Sequence, residues 1–281
     1  MSDPCEQIGE EISWQTVRFC REGALGVLTL ARPDKRNALS PAMLRELREV
    51  GERLAGPVGR DLRCLLITGE GPVFCAGLDL VEGMYGDLAD WSERPVDERA
   101  IAWGLEIAGS FDWIPRLPFP SVAAVRGHAY GAGLQLTLAC DFRIFAVGTL
   151  VGHTEIRFGL LPDMGATWRL PRIVGPALAR ELILFGAVIE ADEARRTGLA
   201  NRVVDAADLD RYARDFCARL ADQPPLAVAG ARRLLELGQC TDDRAALMAA
   251  IHEQATCLTS EDFREALVAH AERRAPRWRG C

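Results

Sequence analysis

Through the first two thirds of the chain, short apolar runs closed by Gly or Pro alternate with longer stretches of helical period. GVLTLARP (26–33) and RCLLITGEG (63–71) have strand length and end in Pro or Gly. Between them, SPAMLRELREVGERLAG (40–56) offers Ser40 as a cap and Pro41 at a first helical position, which predicts strand, helix, strand. PSVAAVRG (120–127) and FRIFAV (142–147) read as further strands, with ERAIAWGLEIAGSFDWI (98–114) as the helix ahead of them. LQLTLAC (134–140) alternates like a strand, yet it follows a Gly-rich turn and lies between two strands. Periodicity leaves a strand and a buried helix equally open there.

From about residue 175 the pattern turns helical: ALARELILFG, then DLDRYARDFCARLAD with Leu209, Tyr212, Phe216 and Leu220 on one face, PPLAVAGARRLLELG, and two more helices to residue 274. Only LANRVV (199–204) looks extended in this part. Strand–helix units followed by a helical tail predict an α/β core, residues 1–205, with a helical C-terminal region, 206–281. The acidic segment 82–99 is expected to be a mobile loop or a set of short helices over the core. No internal repeat or low-complexity tract interrupts this plan.

Composition narrows the function classes. A net charge of −7 argues against a polyanion surface, so nucleic acid is not expected as a partner. Nine scattered cysteines, with no CxxC pair and no Cys/His metal spacing, read as reduced thiols of a cytoplasmic protein and predict no metal. The acidic start MSDPCEQIGEEISW has neither the basic nor the apolar part of a signal peptide, and no apolar run is long enough for a membrane helix.

The candidate chemistry sits in two stretches with a common grammar, GPVFCAGLDL (71–80) and GHAYGAGLQL (127–136). Each leaves a predicted strand, passes through small residues and enters a possible helix. The first N–H groups of such a helix have no intrahelical partners and carry the positive end of its dipole, so two turns together can hold one developing negative charge. A dinucleotide fingerprint is excluded, because the glycines at 127–133 fall as G-x-x-x-G-x-G rather than G-x-G-x-x-G.

RPDKRNALS (32–40), FCAGLDL (74–80), RGHAYGAGLQLTLACDFRI (126–144), HTEIRFGLLPDMGATWRLPRIVG (153–175), ADEARRTGLANRVV (191–204) and SEDFREALVAHAERRAPRW (260–278) stand in the order that resembles the crotonase superfamily, the enoyl-CoA hydratase/isomerase family. The resemblance implies a crotonase-like spiral of β-β-α units, a helical C-terminal trimerisation region, and a homotrimer or a hexamer of two trimers. It implies an acyl-CoA whose thioester is substrate rather than cofactor, with its carbonyl in an oxyanion hole made by the amides of Leu78 and Ala132. Ala76, Gly77, Gly131 and Gly133 would then clear room for the pantetheine arm and thioester, Arg36, Ala38 and Asp79 would lie along the CoA, and Arg273 or Arg274 would reach its phosphates.

The carboxylates discriminate among reactions. Hydratases of the family carry two glutamates, at the positions matching Gln135 and Glu155; here only Glu155 remains. A glutamine hydrogen-bonds a water but does not take its proton at neutral pH, so hydration by the two-glutamate route is disfavoured. Moving a double bond needs one carboxylate that removes a proton and returns it elsewhere, which Glu155 supplies. Asp163 matches an aspartate that works with the glutamate in dienoyl-CoA isomerases of the family, although those enzymes also carry aspartate where Gln135 stands. Asp163 could equally fix a turn. Glu155 could be a surface residue or pair with Arg157. His128 and His153 are expected in structural roles, Trp103, Trp113 and Trp168 in the core or lining a pocket, and Cys75 as a buried small side chain. The expected function is enoyl-CoA isomerisation; the alternatives are a weakened hydratase and a non-catalytic acyl-CoA binder.

Overall fold

The computed structural model describes residues 11–84, 101, 104–105, 107–238 and 240–281. The segment 82–99 and the start of the 98–114 helix therefore lie largely outside the described residues, as do Cys5 and Trp103.

Among the described residues, ten strands form two sheets. β1 (Glu11–Ser13), β2 (Val17–Glu22) and β3 (Leu25–Leu30) pair antiparallel, and β3 continues in parallel to β4 (Cys64–Gly69), β5 (Ser121–Val125), β7 (Phe142–Ala146) and β10 (Arg202–Val204). The second sheet joins β6 (His128–Tyr130), β8 (Leu150–Gly152) and β9 (Val188–Glu190). Both faces of the large sheet are covered, which is why its strands read as continuous apolar runs. Leu28, Leu30, Leu65, Ile67, Ala123, Val125 and Phe145 face one core, which α1 (Pro41–Ala55) covers with Met43, Leu47 and Val50. Val27, Leu66, Val122, Ala124, Ile144 and Ala146 face the other, against Leu209, Ala213 and Cys217 of α6 (Leu209–Ala221). The helical region after residue 205 thus begins with a helix that is part of the sheet's own packing.

LQLTLAC is a helix: α2 (Ala132–Leu138) is buried at every position, so it shows no polar face by which its period could be recognised. α3 (Ala166–Val174), α4 (Pro176–Leu184) and α5 (Ala191–Arg196) follow, and α6 leads to α7 (Pro225–Leu237), α8 (Asp243–Thr259) and α9 (Glu261–Glu272). Ser40 caps α1 by accepting from the Met43 N–H at 3.2 Å, as its sequence predicts. α8 buries none of its residues in the monomer, although Leu247, Met248, Ile251 and Leu258 lie on it. Among the described residues no helix is long and apolar enough to cross a membrane.

Candidate active site

The two glycine turns meet at the head of α2. Cys75 bridges to β6, its N–H donating to His128 O at 3.1 Å and its carbonyl accepting from Tyr130 N at 3.1 Å. Two residues on, Gly77 O accepts from Leu39 N at 2.8 Å, and Asp79 N donates to Leu39 O at 3.0 Å. Residues 77 and 79 serve Leu39, so the Leu78 N–H between them faces the other way. Ala132 is the first residue of α2 and its N–H has no carbonyl a turn earlier. Among the described residues neither amide has a partner.

Close approach requires glycine here. Gly77 has φ +98°, and a Cβ on it would lie 2.9 Å from Tyr130 O and 3.8 Å from Ala132 N, which brings the first turn against the second. Gly133 backs onto Cys75, which is fully buried as expected and donates its thiol to Asn37 O at 3.0 Å. Burial pushes the Cys75 thiol up to about 12, against a smaller opposing hydrogen bond from Gly77.

Glu155 opens a short 3₁₀ turn, Glu155–Phe158, just after β8. Its carboxyl sits beside the second glycine turn: a Cβ on Gly131 would lie 3.4 Å from Glu155 Cδ. The side chain is only 11% exposed, and Arg157 donates instead to Gly186 O at 2.7 Å, so the surface and ion-pair readings of Glu155 do not hold. Oε1 accepts from Gln135 Nε2 at 2.9 Å, while Oε2 is buried with no partner among the described residues.

Gln135 has a defined orientation. Its Oε1 accepts two backbone N–H groups at the start of α3, from Met164 at 2.8 Å and Ala166 at 3.2 Å. Two donors demand the oxygen, so the NH₂ is turned to Glu155. The amide meets both demands at once without a titrating proton, whereas an ionised glutamate here would set two carboxylates against each other.

Asp163 is exposed, immediately before the Met164 amide that Gln135 accepts. Partial desolvation raises its carboxyl above the ordinary value, and the Glu155 charge raises it further.

Other predicted site residues are engaged within the protein. Asp79 pairs with Arg32 at 3.0 Å and accepts the Val81 and Glu82 amides at 3.1 and 3.0 Å, so its side chain anchors a loop. These donors hold its carboxyl below the ordinary value although burial, the largest single influence, opposes them. Ala38 O accepts from Arg32 at 2.8 Å, and Ala76 N donates to Arg36 O at 3.0 Å, leaving the Arg36 side chain exposed. Arg274 is held by Glu265 and Glu272 at the end of α9, and Arg273 terminates that helix in the left-handed region; none of these contacts reaches the turns or Glu155. Trp113 packs on the core, but Trp168 is 44% exposed and stacks with Arg169, so it is no core residue.

Sequence reading passed over Asn37, which is fully buried in the left-handed region. It accepts from Arg32 N at 2.8 Å and donates to Glu70 O at 2.9 Å and Val73 O at 2.7 Å, lashing the 32–40 loop to the first glycine turn. An asparagine between a basic pair and an apolar run was its only visible signal.

A mixed sheet whose two glycine turns converge on a buried helix, followed by a helical C-terminal region, is the crotonase fold. The chain superposes on the crystal structure of enoyl-CoA hydratase from Bacillus anthracis with a TM-score of 0.86, at 31% identity over 95% of this chain and 100% of that one. The chain belongs to the enoyl-CoA hydratase/isomerase family, whose model matches residues 21–281, and it is an enzyme of that family. Its relatives include crotonyl-CoA hydratase of Syntrophomonas wolfei, 32% identical over 94% of this chain and 97% of that one. Another is an enoyl-CoA isomerase/hydratase of Mycosarcoma maydis, 32% identical over 90% and 92%.

Proposed function

We propose that this enzyme moves the double bond of an enoyl-CoA. The Leu78 and Ala132 amides would receive the thioester oxygen, and Glu155 would remove a proton from the carbon next to the carbonyl. Electrons then spread over the dienolate, and Glu155 returns the proton at the far carbon, converting a 3-enoyl to a 2-enoyl thioester. The thioester itself is the electron sink, so the scheme needs neither a metal nor a redox cofactor. One donor aimed at such an oxyanion is worth about 3 kcal/mol of barrier.

A single observation carries the choice of isomerisation: Gln135 is locked as a donor to Glu155, with its oxygen committed to Met164 and Ala166. It thus serves the carboxylate and is not a second base. Asp163, at the exposed side with a raised proton affinity, is the proposed auxiliary proton carrier. Arg36 and Arg273 are the proposed contacts for CoA phosphates, and Arg274 would contribute only by exchanging its present partners Glu265 and Glu272. The unburied apolar side chains of α8 support assembly into a trimer or larger homo-oligomer.

The test is incubation with 3-enoyl-, 2-enoyl- and dienoyl-CoA esters of several lengths, followed by absorbance of the conjugated thioester and by product analysis. Appearance of 2-enoyl-CoA from the 3-enoyl ester is the expected result. Turnover of 2-enoyl-CoA alone, to the 3-hydroxy product, would replace isomerase by hydratase. Binding without turnover would make the protein an acyl-CoA binder.

A further inference from the structure

His153 lies directly after β8 with its side chain fully buried, and neither ring nitrogen has a hydrogen-bond partner among the described residues. An imidazole in either charge state carries at least one N–H, and leaving such a donor unmet in a buried place is costly. The acceptor beside it is Glu155 Oε1, 3.7 Å from Nδ1. That separation is just beyond hydrogen-bond range, and contacts of this kind tighten when substrate closes a site. Oε1 has room for a second donor, since Gln135 Nε2 occupies only one of its positions. Among the described residues no arginine or lysine pairs with Glu155: the nearby Arg157 is spent on Gly186 O.

We propose that His153 is a positioning residue for Glu155, its Nδ1–H forming with Gln135 Nε2 a two-donor clamp on Oε1 that leaves Oε2 as the oxygen that meets the substrate's hydrogen. The backbone is arranged to hold this clamp in register with the oxyanion turn. Gly152, the residue before His153, accepts from Gly131 N at 3.0 Å and pairs with both Tyr130 and Val188. A shift of the histidine would therefore drag the turn that presents Ala132 N. The inference rests on Glu155 being the proton carrier, and its test separates the two claims.

The first measurement does not need turnover. The chain has four histidines, and ¹⁵N spectra of ring-labelled protein, with His153→Asn assigning the His153 signals, report which nitrogen bears the proton. A proton on Nδ1 that shifts in Glu155→Gln is expected; a bare Nδ1, indifferent to Glu155→Gln, would overturn the clamp. The second uses enoyl-CoA turnover. His153→Leu should lower kcat about 10- to 100-fold, the scale of one hydrogen bond to a charged group, with KM nearly unchanged. His153→Asn, which can bring an amide N–H to the same oxygen, should recover most of that loss. Equal losses in both variants, or a better enzyme with leucine than with asparagine, would reduce His153 to packing. If His153→Leu does not fold, the spectra and the asparagine variant still decide. An enzyme inert toward every enoyl ester but with Nδ1 protonated would fail the isomerase reading and leave the His153–Glu155 contact standing.

Discussion

Gln135→Glu tests the heart of the site in one substitution. The side chain is 1% exposed and lies 2.9 Å from Glu155 Oε1, so the variant places two carboxylates at that distance with little water between them. At an effective dielectric of about 20, two unit charges so close repel by about 6 kcal/mol, or about four pK units. The Met164 and Ala166 amides stabilise an ionised oxygen and offset part of this. The pair must therefore share one proton through neutral pH and titrate as a unit, its upper step far above the ordinary glutamate value. The sign follows from proton binding. Between about pH 4 and that raised value the folded variant holds a proton that the unfolded chain has released, so stability falls as pH rises, by up to about 1.4 kcal/mol per unit. Against the parent protein the deficit should be smallest near pH 5 and widen toward pH 8, each kcal/mol lowering Tm by about 2 °C in a chain of this size. Thermal unfolding of both proteins across that range is the assay. A gap that stays constant would refute the contact. Because the second carboxylate supplies what water addition needs, hydration of 2-enoyl-CoA should also rise in the variant while isomerisation falls.

Three other predictions probe the surroundings. Gly77→Ala forces a side chain into φ +98° and within 2.9 Å of Tyr130 O, so it should cost about 2–3 kcal/mol in urea unfolding and about 10²–10³ in kcat by moving one oxyanion donor. Asn37→Ala strands buried groups that made three hydrogen bonds and should lower stability by about 2–4 kcal/mol, read from the same unfolding curves. Cys75 and Cys140, both buried with thiols pushed up to about 12, should take no iodoacetamide at pH 8 in the native protein while exposed Cys240 does, as mass spectrometry of the peptides would show.

Much of this architecture is legible in the chain. Ser40–Pro41 announces α1, and the strands that became β3, β4, β5 and β7 stand out because both their faces are apolar. β6, β8 and β9 do not, since three residues carry no period, and α3 was hidden by Pro171 inside it. The two glycine turns could be read from small residues flanking apolar runs. The pairing of Gln135 with Glu155 could not: the residues are 20 apart, and only the packing of α2 against the head of α3 turns the amide to the carboxylate. Asp79 looked available for a ligand for the same reason, because its partner Arg32 is 47 positions away.

Everything turns on where the thioester lies. In a crystal structure of the Glu155→Gln variant with a 3-enoyl-CoA bound, the carbonyl oxygen should sit about 3 Å from both Leu78 N and Ala132 N, with the carbon next to it facing the side chain at position 155. A carbonyl that touches neither amide, or a reacting carbon turned away from that side chain, would contradict the account.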